Sequence, residues 1–286
     1  MKERFSIYMS LTKPRIGLMV LVTTSIGYYL ASGSFYPADR FILTLTGTFL
    51  AVAGSAALNN YLERDSDGLM ERTRNRPLPR GLVPPGEVLV VGVLLVMAGV
   101  HILLVSVNLL TAFLALLSSF LYVLVYTPLK KVHWLNTFIG AIPGALPPVG
   151  GWAAATGKIG FGAVILFLIL FIWQHPHFYA IAWIYRDDYK KGGHKMLPVC
   201  DTTGIRTARQ TIFYSLILIP VSLMPFIMGI TGVFYCISVL ILGLLMLYLG
   251  VLFAKNRKLQ DARHLMLYSL VYLPALLVLI VTDLKL

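Results

Sequence analysis

The sequence predicts an all-α, polytopic membrane protein, and three observations predict it. Of the 286 residues, 58% are hydrophobic and 13% charged, whereas soluble domains carry about 45–50% apolar and about 25% charged residues. The apolar residues gather in runs of about 20, the length that crosses a bilayer core of about 30 Å. The basic residues fall in alternate loops between those runs. So few charges cannot cover a water-facing surface, so a soluble fold is excluded. The net charge of +12 then concerns orientation in the lipid bilayer, and nucleic acid is not an expected partner.

Nine spanning segments are expected, at 16–33, 41–62, 87–106, 109–127, 135–155, 160–185, 210–229, 232–253 and 264–282. They form one membrane-embedded domain over 1–286. The start of the fourth is soft, because only Val107-Asn108 interrupts the apolar run. The fifth carries Pro143, Pro147 and Pro148 among several glycines. Proline removes a backbone donor and bends a helix, and glycine lets helices approach closely. This segment therefore reads either as a kinked packing helix or as the wall of a cavity.

Lysine and arginine counts set the orientation. Twenty-one lie in the N-terminal segment and in the loops that share its side; Arg40, Lys158 and Lys285 lie on the other. That split predicts a cytoplasmic N-terminus and an outside C-terminus. The opening MKERFSIYMSLTKPR has no compact apolar run ending in a small-residue cleavage site, so no removable signal peptide is expected. Cys200 and Cys236 form neither a CxxC pair nor a zinc spacing and fall near opposite faces, so no disulfide is expected.

Acidic residues concentrate at 63–71 and 187–188, at cytoplasmic helix ends. In the first passage, NNYLERDSDGLMERTRNRP, Asn59, Glu63 and Asp67 are four apart and stack on one helix face. Asp65 points roughly the other way, and Gly68 offers a helix stop. An amide oxygen and two carboxylates in a column suit magnesium, which usually shares its coordination with water and substrate phosphates. Arg72, Arg74 and Arg76 follow, and guanidinium groups grip phosphate oxygens in pairs. The plain alternative is a charged interfacial loop, but acidic groups at a membrane surface are costly and tend to be functional.

The second passage, WQHPHFYAIAWIYRDDYKKGGHKMLP, repeats the order of acids at a helix end and then bases. His177 and Asp188 are eleven apart, close to three turns, so they would share a face. Asp187 lies about 100° away. His175 and His177 flank Pro176 in an apolar run, where a histidine is more often a hydrogen-bonded core residue than a ligand, although histidine is also a common axial ligand of haem iron. The two helix–acidic loop–helix passages hint at an internal duplication.

Together these motifs resemble the intramembrane prenyltransferase superfamily, whose signature is an Asn-rich acidic motif followed by Arg-Thr-x-x-Arg-Pro. Here that is Asn59 to Asp67, then Arg72-Thr73-Arg74-Asn75-Arg76-Pro77. The chain is most similar to the haem-farnesylating branch, on Tyr126-Thr127-Pro128-Leu129-Lys130-Lys131, Asn136 with the run from Ile139 to Ala145, Pro176-His177-Phe178, and Tyr185-Arg186-Asp187-Asp188-Tyr189 ending in Met196-Leu197-Pro198. The resemblance is dense over 10–200 and looser beyond. It departs at Glu63, where aspartate is usual, and at His177, near which many relatives place an aspartate.

The resemblance implies farnesyl diphosphate as donor and haem B as acceptor, in a bacterial inner membrane with the active site facing the cytoplasm. It implies a metal site drawn from Asn59, Glu63, Asp67, Asp187 and Asp188, with Mg2+ neutralising the diphosphate. Asp67, Asp188 and Arg72 would carry catalysis. Arg72, Arg76, Lys130, Lys131, Asn136 and His177 would bind substrate, with His177 orienting haem. The product would be haem O, made by alkylation plus hydration without a redox cofactor, and haem A synthase or terminal oxidase assembly factors would be partners. The alternatives are a relative acting on an aromatic quinone precursor, a secondary transporter, and a non-enzymatic haem-handling protein.

Overall fold

The computed structural model describes the backbone of residues 2–285 and side chains from Ser6 to Lys285. Lys2 and Arg4, both part of the charge tally, have side chains outside the described residues. The elements run as α1 (Lys2–Leu11), α2 (Pro14–Ser32), α3 (Ala38–Leu69), α4 (Pro85–Ser106) and α5 (Leu109–Phe120), continued by a π-helical stretch (Leu121–Tyr126) and α6 (Thr127–Val132). Then follow α7 (Asn136–Thr156), α8 (Phe161–Ile184), the short α9 (Arg186–Lys191) and α10 (Leu197–Cys200), and α11 (Ile205–Ile227), α12 (Val233–Asn256) and α13 (Leu259–Thr282). The all-α prediction holds: among the described residues the sole β pairing is an isolated bridge between Thr231 and Leu284.

Eight helical runs among the described residues are long and apolar enough to cross a bilayer. They match eight of the nine expected segments. The fifth segment is α7, 21 residues long, and it is not one of the eight because its prolines and glycines dilute its apolar character. It is nonetheless one unbroken helix. Pro147 has no N–H to offer the carbonyl four residues back, that of Pro143. Ser118 Oγ on α5 donates to that carbonyl at 3.2 Å instead, the kind of replacement that lets proline persist in a membrane helix.

Small residues set the helix spacing, as expected where lipid is as apolar as leucine and close backbone contact drives association. A Cβ on Gly27 of α2 would run into the backbone carbonyl of Pro148 on α7, and one on Gly151 of α7 would run into that of Thr24. Gly27→Val should therefore push α2 from α7 and cost about 1–3 kcal/mol. A lowered unfolding midpoint for the variant in detergent would bear this out, and an unchanged midpoint would show that the two helices can separate freely.

The main apolar core belongs to α8, α11, α12 and α13, through residues such as Ile169, Leu218, Val239, Met246 and Leu276. Two hydrogen bonds tie polar side chains within it. Tyr235 Oη donates to the Ser222 carbonyl at 2.6 Å, and Ser222 Oγ and Tyr272 Oη share a hydrogen bond of 2.8 Å. The charged chemistry lies at one end of α3, where α6 and the loop after α9 meet it.

Candidate active site

The α3 column forms as the spacing requires. Helix α3 is 32 residues long and runs to Leu69, past both the expected end at 62 and Gly68. Polar residues in the last two turns hid that extension. Asn59, Glu63 and Asp67 are buried to 1%, 5% and 1% exposure, whereas the Asp65 side chain is 79% exposed. The helix thus carries two carboxylates and an amide inward on one face.

Each member of the column meets a partner from another segment. Lys13 Nζ, at the turn before α2, donates to Asn59 Oδ1 at 2.8 Å. Asn59 Nδ2 donates to Thr127 Oγ1 at 3.0 Å. Lys130 Nζ donates to Glu63 Oε1 at 2.7 Å and also lies 4.6 Å from the Tyr126 ring centroid. Arg76 Nη1 donates to Asp67 Oδ2 at 2.6 Å. The other Asp67 oxygen, Oδ1, is buried without a partner. The π-helical turn before α6 delivers this geometry: Thr127 caps it through the Tyr122 carbonyl, and Tyr126, Thr127 and Lys130 are brought to α3. Single π turns inside helices recur at functional sites.

The loop after α3 is folded over the column. The Asp67 carbonyl accepts from Met70 N at 3.3 Å and Thr73 Oγ1 at 2.9 Å. Asp188 reaches this loop from the second half of the chain: its Oδ1 accepts from Glu71 N at 2.7 Å and its Oδ2 from Arg72 N at 3.2 Å. Arg72 lies 5.1 Å from the Tyr185 ring and 5.6 Å from that of Tyr189. Lys191 Nζ donates to Glu71 Oε1 at 2.7 Å, and this hydrogen bond with its ion pair holds the Glu71 carboxyl below its usual range.

The structure therefore joins helix ends from both halves of the chain, but it does not gather the five expected metal ligands into one cluster. Among the described residues no three His, Cys, Asp or Glu side chains form a preformed metal group. Glu63 and Asp67 stand next to cations, Asp188 spends both oxygens on backbone N–H groups, and Asp187 is 90% exposed beside Arg186. The expectation that His177 and Asp188 share a helix face also fails. Helix α8 ends at Ile184, and Tyr185 (φ −108°, ψ 23°) leaves helical geometry before α9 begins.

The remaining expected residues are dispersed. Lys131 is exposed. Asn136 is fully buried and donates to the carbonyls of His133 and Lys195 at 2.8 and 3.0 Å, so it ties the α6–α7 turn to the loop after α9. His177 is buried in α8, stacked on Trp173 at 5.1 Å, with Nδ1 2.6 Å from Ser269 Oγ on α13. Ser269 Oγ donates to the Met266 carbonyl at 2.6 Å, so it accepts from His177 Nδ1–H. With the ring neutral, that bond keeps the proton on Nδ1 and leaves Nε2 its lone pair. His175 faces elsewhere: its Nδ1 is 2.7 Å from the Phe171 carbonyl, its ring stacks on Tyr214 at 3.8 Å, and it is wholly buried.

Two residues absent from the sequence reading belong to the site. Lys13 is held at φ 50° just before Pro14. Burial first, and then the neighbouring Arg76 and Lys130 charges, push its ammonium down to about 7, against the opposing pull of Glu63 and Asp67. His194 is buried, and removal from water pushes its imidazole down to about 4. The Lys-Pro pair ahead of the first span was the available signal for Lys13. Gly192-Gly193 ahead of His194 was a weaker one. With Lys13 protonated, as a bound anion would favour, Lys13, Lys130 and Arg76 against Glu63 and Asp67 leave an excess of one positive charge, suited to an anion with a bound cation.

Comparison with known proteins agrees with this architecture. Residues 20–271 match the model of the UbiA prenyltransferase family. The chain is 44% identical over 285 residues to a protoheme IX farnesyltransferase of Solibacter usitatus, covering 96% of this chain and 98% of that one. It is 40% identical over 277 residues to a protoheme IX farnesyltransferase of Aquifex aeolicus, covering 96% and 94%. Among solved structures, a digeranylgeranylglyceryl phosphate synthase superposes with TM-score 0.84 at 20% identity over 98% of both chains. A UbiA homolog of Archaeoglobus fulgidus bound to GPP and Mg2+ superposes with TM-score 0.68 at 18% identity, covering 96% of this chain and 99% of that one. Family match, full-length relatives and helical fold coincide: the chain belongs to the UbiA prenyltransferase family.

Proposed function

We propose that this membrane enzyme transfers a farnesyl group from farnesyl diphosphate to a vinyl group of haem B, with addition of water, giving haem O and diphosphate. One observation carries the donor half: two buried carboxylates on α3, each beside a cation from another segment, with Asp67 Oδ1 left bare. The acceptor half rests on full-length relatives that bear the name protoheme IX farnesyltransferase. The domain is the whole of 1–286. It lies in a bacterial inner membrane with nine crossings, α7 included, the N-terminus inside, the C-terminus outside and this site facing the cytoplasm, on the strength of the 21-to-3 split of basic residues.

The donor set fits a magnesium ion. A buried, unpartnered carboxylate oxygen with an amide and a second carboxylate on the same helix face offers oxygen ligands, and the small number of carboxylates suits an ion that keeps waters and substrate phosphates. Asn59, Glu63 and Asp67 would hold it, and it would supply charge neutralisation of the diphosphate. Lys130 and Arg76, released in part from their carboxylates, and Lys13 and Arg72 would take the diphosphate oxygens. Breaking the C–O bond leaves negative charge on the departing diphosphate, where these fixed cations stabilise it. The allylic cation adds to the haem vinyl group with formation of a C–C bond. Water captures the resulting cation and loses a proton. The apolar bundle keeps bulk water from the first cation. His177 Nε2 is the atom that would meet haem. Haem A synthase or terminal oxidase assembly factors would take the product.

Asp188 acts here as a positioning residue that holds the Arg72 loop over the donor. Asp188→Ala should raise KM for farnesyl diphosphate about tenfold, the loss of roughly one charge-assisted hydrogen bond. An unchanged KM would remove that role. The function as a whole is tested by giving the purified protein labelled farnesyl diphosphate with haem B or with 4-hydroxybenzoate, with and without a magnesium chelator. Label should enter haem alone, and only with the metal. Label in the aromatic acid alone would support the quinone-precursor alternative.

A further inference from the structure

The loop after α9 places a histidine at the donor site that the proposed reaction has not used. It is fixed from both sides. Gly193 turns the chain with φ 72°, His194 N donates to the Tyr189 carbonyl at 2.9 Å, and Lys195 N donates to the Lys130 carbonyl at 2.6 Å. Asn136 Nδ2 holds the Lys195 carbonyl at 3.0 Å. His194 is therefore locked beside Lys130, in the half of the molecule opposite its own. Its ring lies 5.9 Å from that of Tyr189, the tyrosine whose hydroxyl accepts from Arg72 at 3.4 Å.

His194 is 2% exposed, and its Nδ1 is buried without a hydrogen-bond partner. Buried polar atoms are almost always paired, so each exception asks for an explanation. A residue that only filled space here could be apolar and leave no bare nitrogen. The charged groups acting on this imidazole are Glu63, Lys130, Lys131 and Arg72, and three of these four are assigned above to the metal or the diphosphate. A neutral ring in this place offers one N–H and adds no charge to the site.

We propose that His194 is a further substrate-binding residue, whose Nδ1–H donates a hydrogen bond to a diphosphate oxygen of the prenyl donor. The assignment rests on the prenyl diphosphate reading of the site. It makes the loop after α9 part of the donor pocket, so that the anion is enclosed by α3 and α6 from the first half of the chain and by this loop from the second.

The test uses the purified full-length protein in detergent, with His194→Leu and His194→Asn. Both lose the imidazole packing, but asparagine can place an N–H close to the position of Nδ1. Binding of inorganic diphosphate with magnesium is measured by titration calorimetry, and KM and kcat are measured for farnesyl diphosphate and haem B. His194→Leu should weaken diphosphate binding and raise the donor KM about 3- to 10-fold, the loss of one hydrogen bond, while His194→Asn stays within about twofold of wild type. The haem KM should be unchanged in both. Wild-type-like binding by His194→Leu, or equal weakening in both variants, overturns the assignment. Wild-type protein that binds no magnesium diphosphate overturns the donor site itself, and the His194 assignment with it.

Discussion

Asp67→Asn should lower kcat by about three orders of magnitude while the protein still folds and inserts. Asparagine keeps the shape of the side chain and can still accept from Arg76 through its amide oxygen. It removes the charge and places an amide where Oδ1 is now bare. A fully buried carboxylate with one unpartnered oxygen is expensive unless a ligand meets that oxygen. Removing a single preorganised electrostatic group from an active site costs about 10²–10³ in kcat. Asp67 both meets the proposed metal and restrains Arg76, so the upper end is expected. The measurement is kcat at saturating donor, acceptor and magnesium. Activity within a few-fold of wild type would remove Asp67 from the chemistry.

Lys130→Met should reduce both stability and turnover, and for separable reasons. Lys130 and Glu63 form an ion pair whose side chains are 13% and 7% exposed. Removing one partner of such a pair leaves an uncompensated buried charge and costs about 3–5 kcal/mol, whereas replacing both partners by neutral groups can be nearly neutral. The double variant Glu63→Gln with Lys130→Met should therefore recover most of the unfolding midpoint lost by Lys130→Met alone. It should not recover turnover, because the diphosphate still lacks its cation and the metal a charged ligand. Recovery of activity along with stability would show that the pair serves only the fold.

What could be read from the sequence follows from what each inference depends on. The α3 column was legible because a spacing of four fixes a helix face whatever the rest of the molecule does. The spanning segments were legible because the bilayer imposes their length, although α7 shows how prolines and glycines blur that signal. The relation of His177 to Asp188 was misread because it assumed one continuous helix, and a single residue, Tyr185, breaks it. Asp188 was expected at a metal, and its hold on the backbone of Glu71 and Arg72 was not foreseen, being a contact between residues more than a hundred positions apart. Lys13 and His194 could not be placed for the same reason: their positions depend on how separate loops close over α3. The π-helical turn has no sequence pattern of its own, yet it brings Thr127 and Lys130 to the column.

The product itself gives the most direct test. The purified protein, supplied with farnesyl diphosphate, magnesium and haem B, should yield a haem whose mass has risen by one farnesyl group and one hydroxyl, with one diphosphate released per haem converted. Recovery of haem B of unchanged mass, with the farnesyl diphosphate intact, would contradict the account.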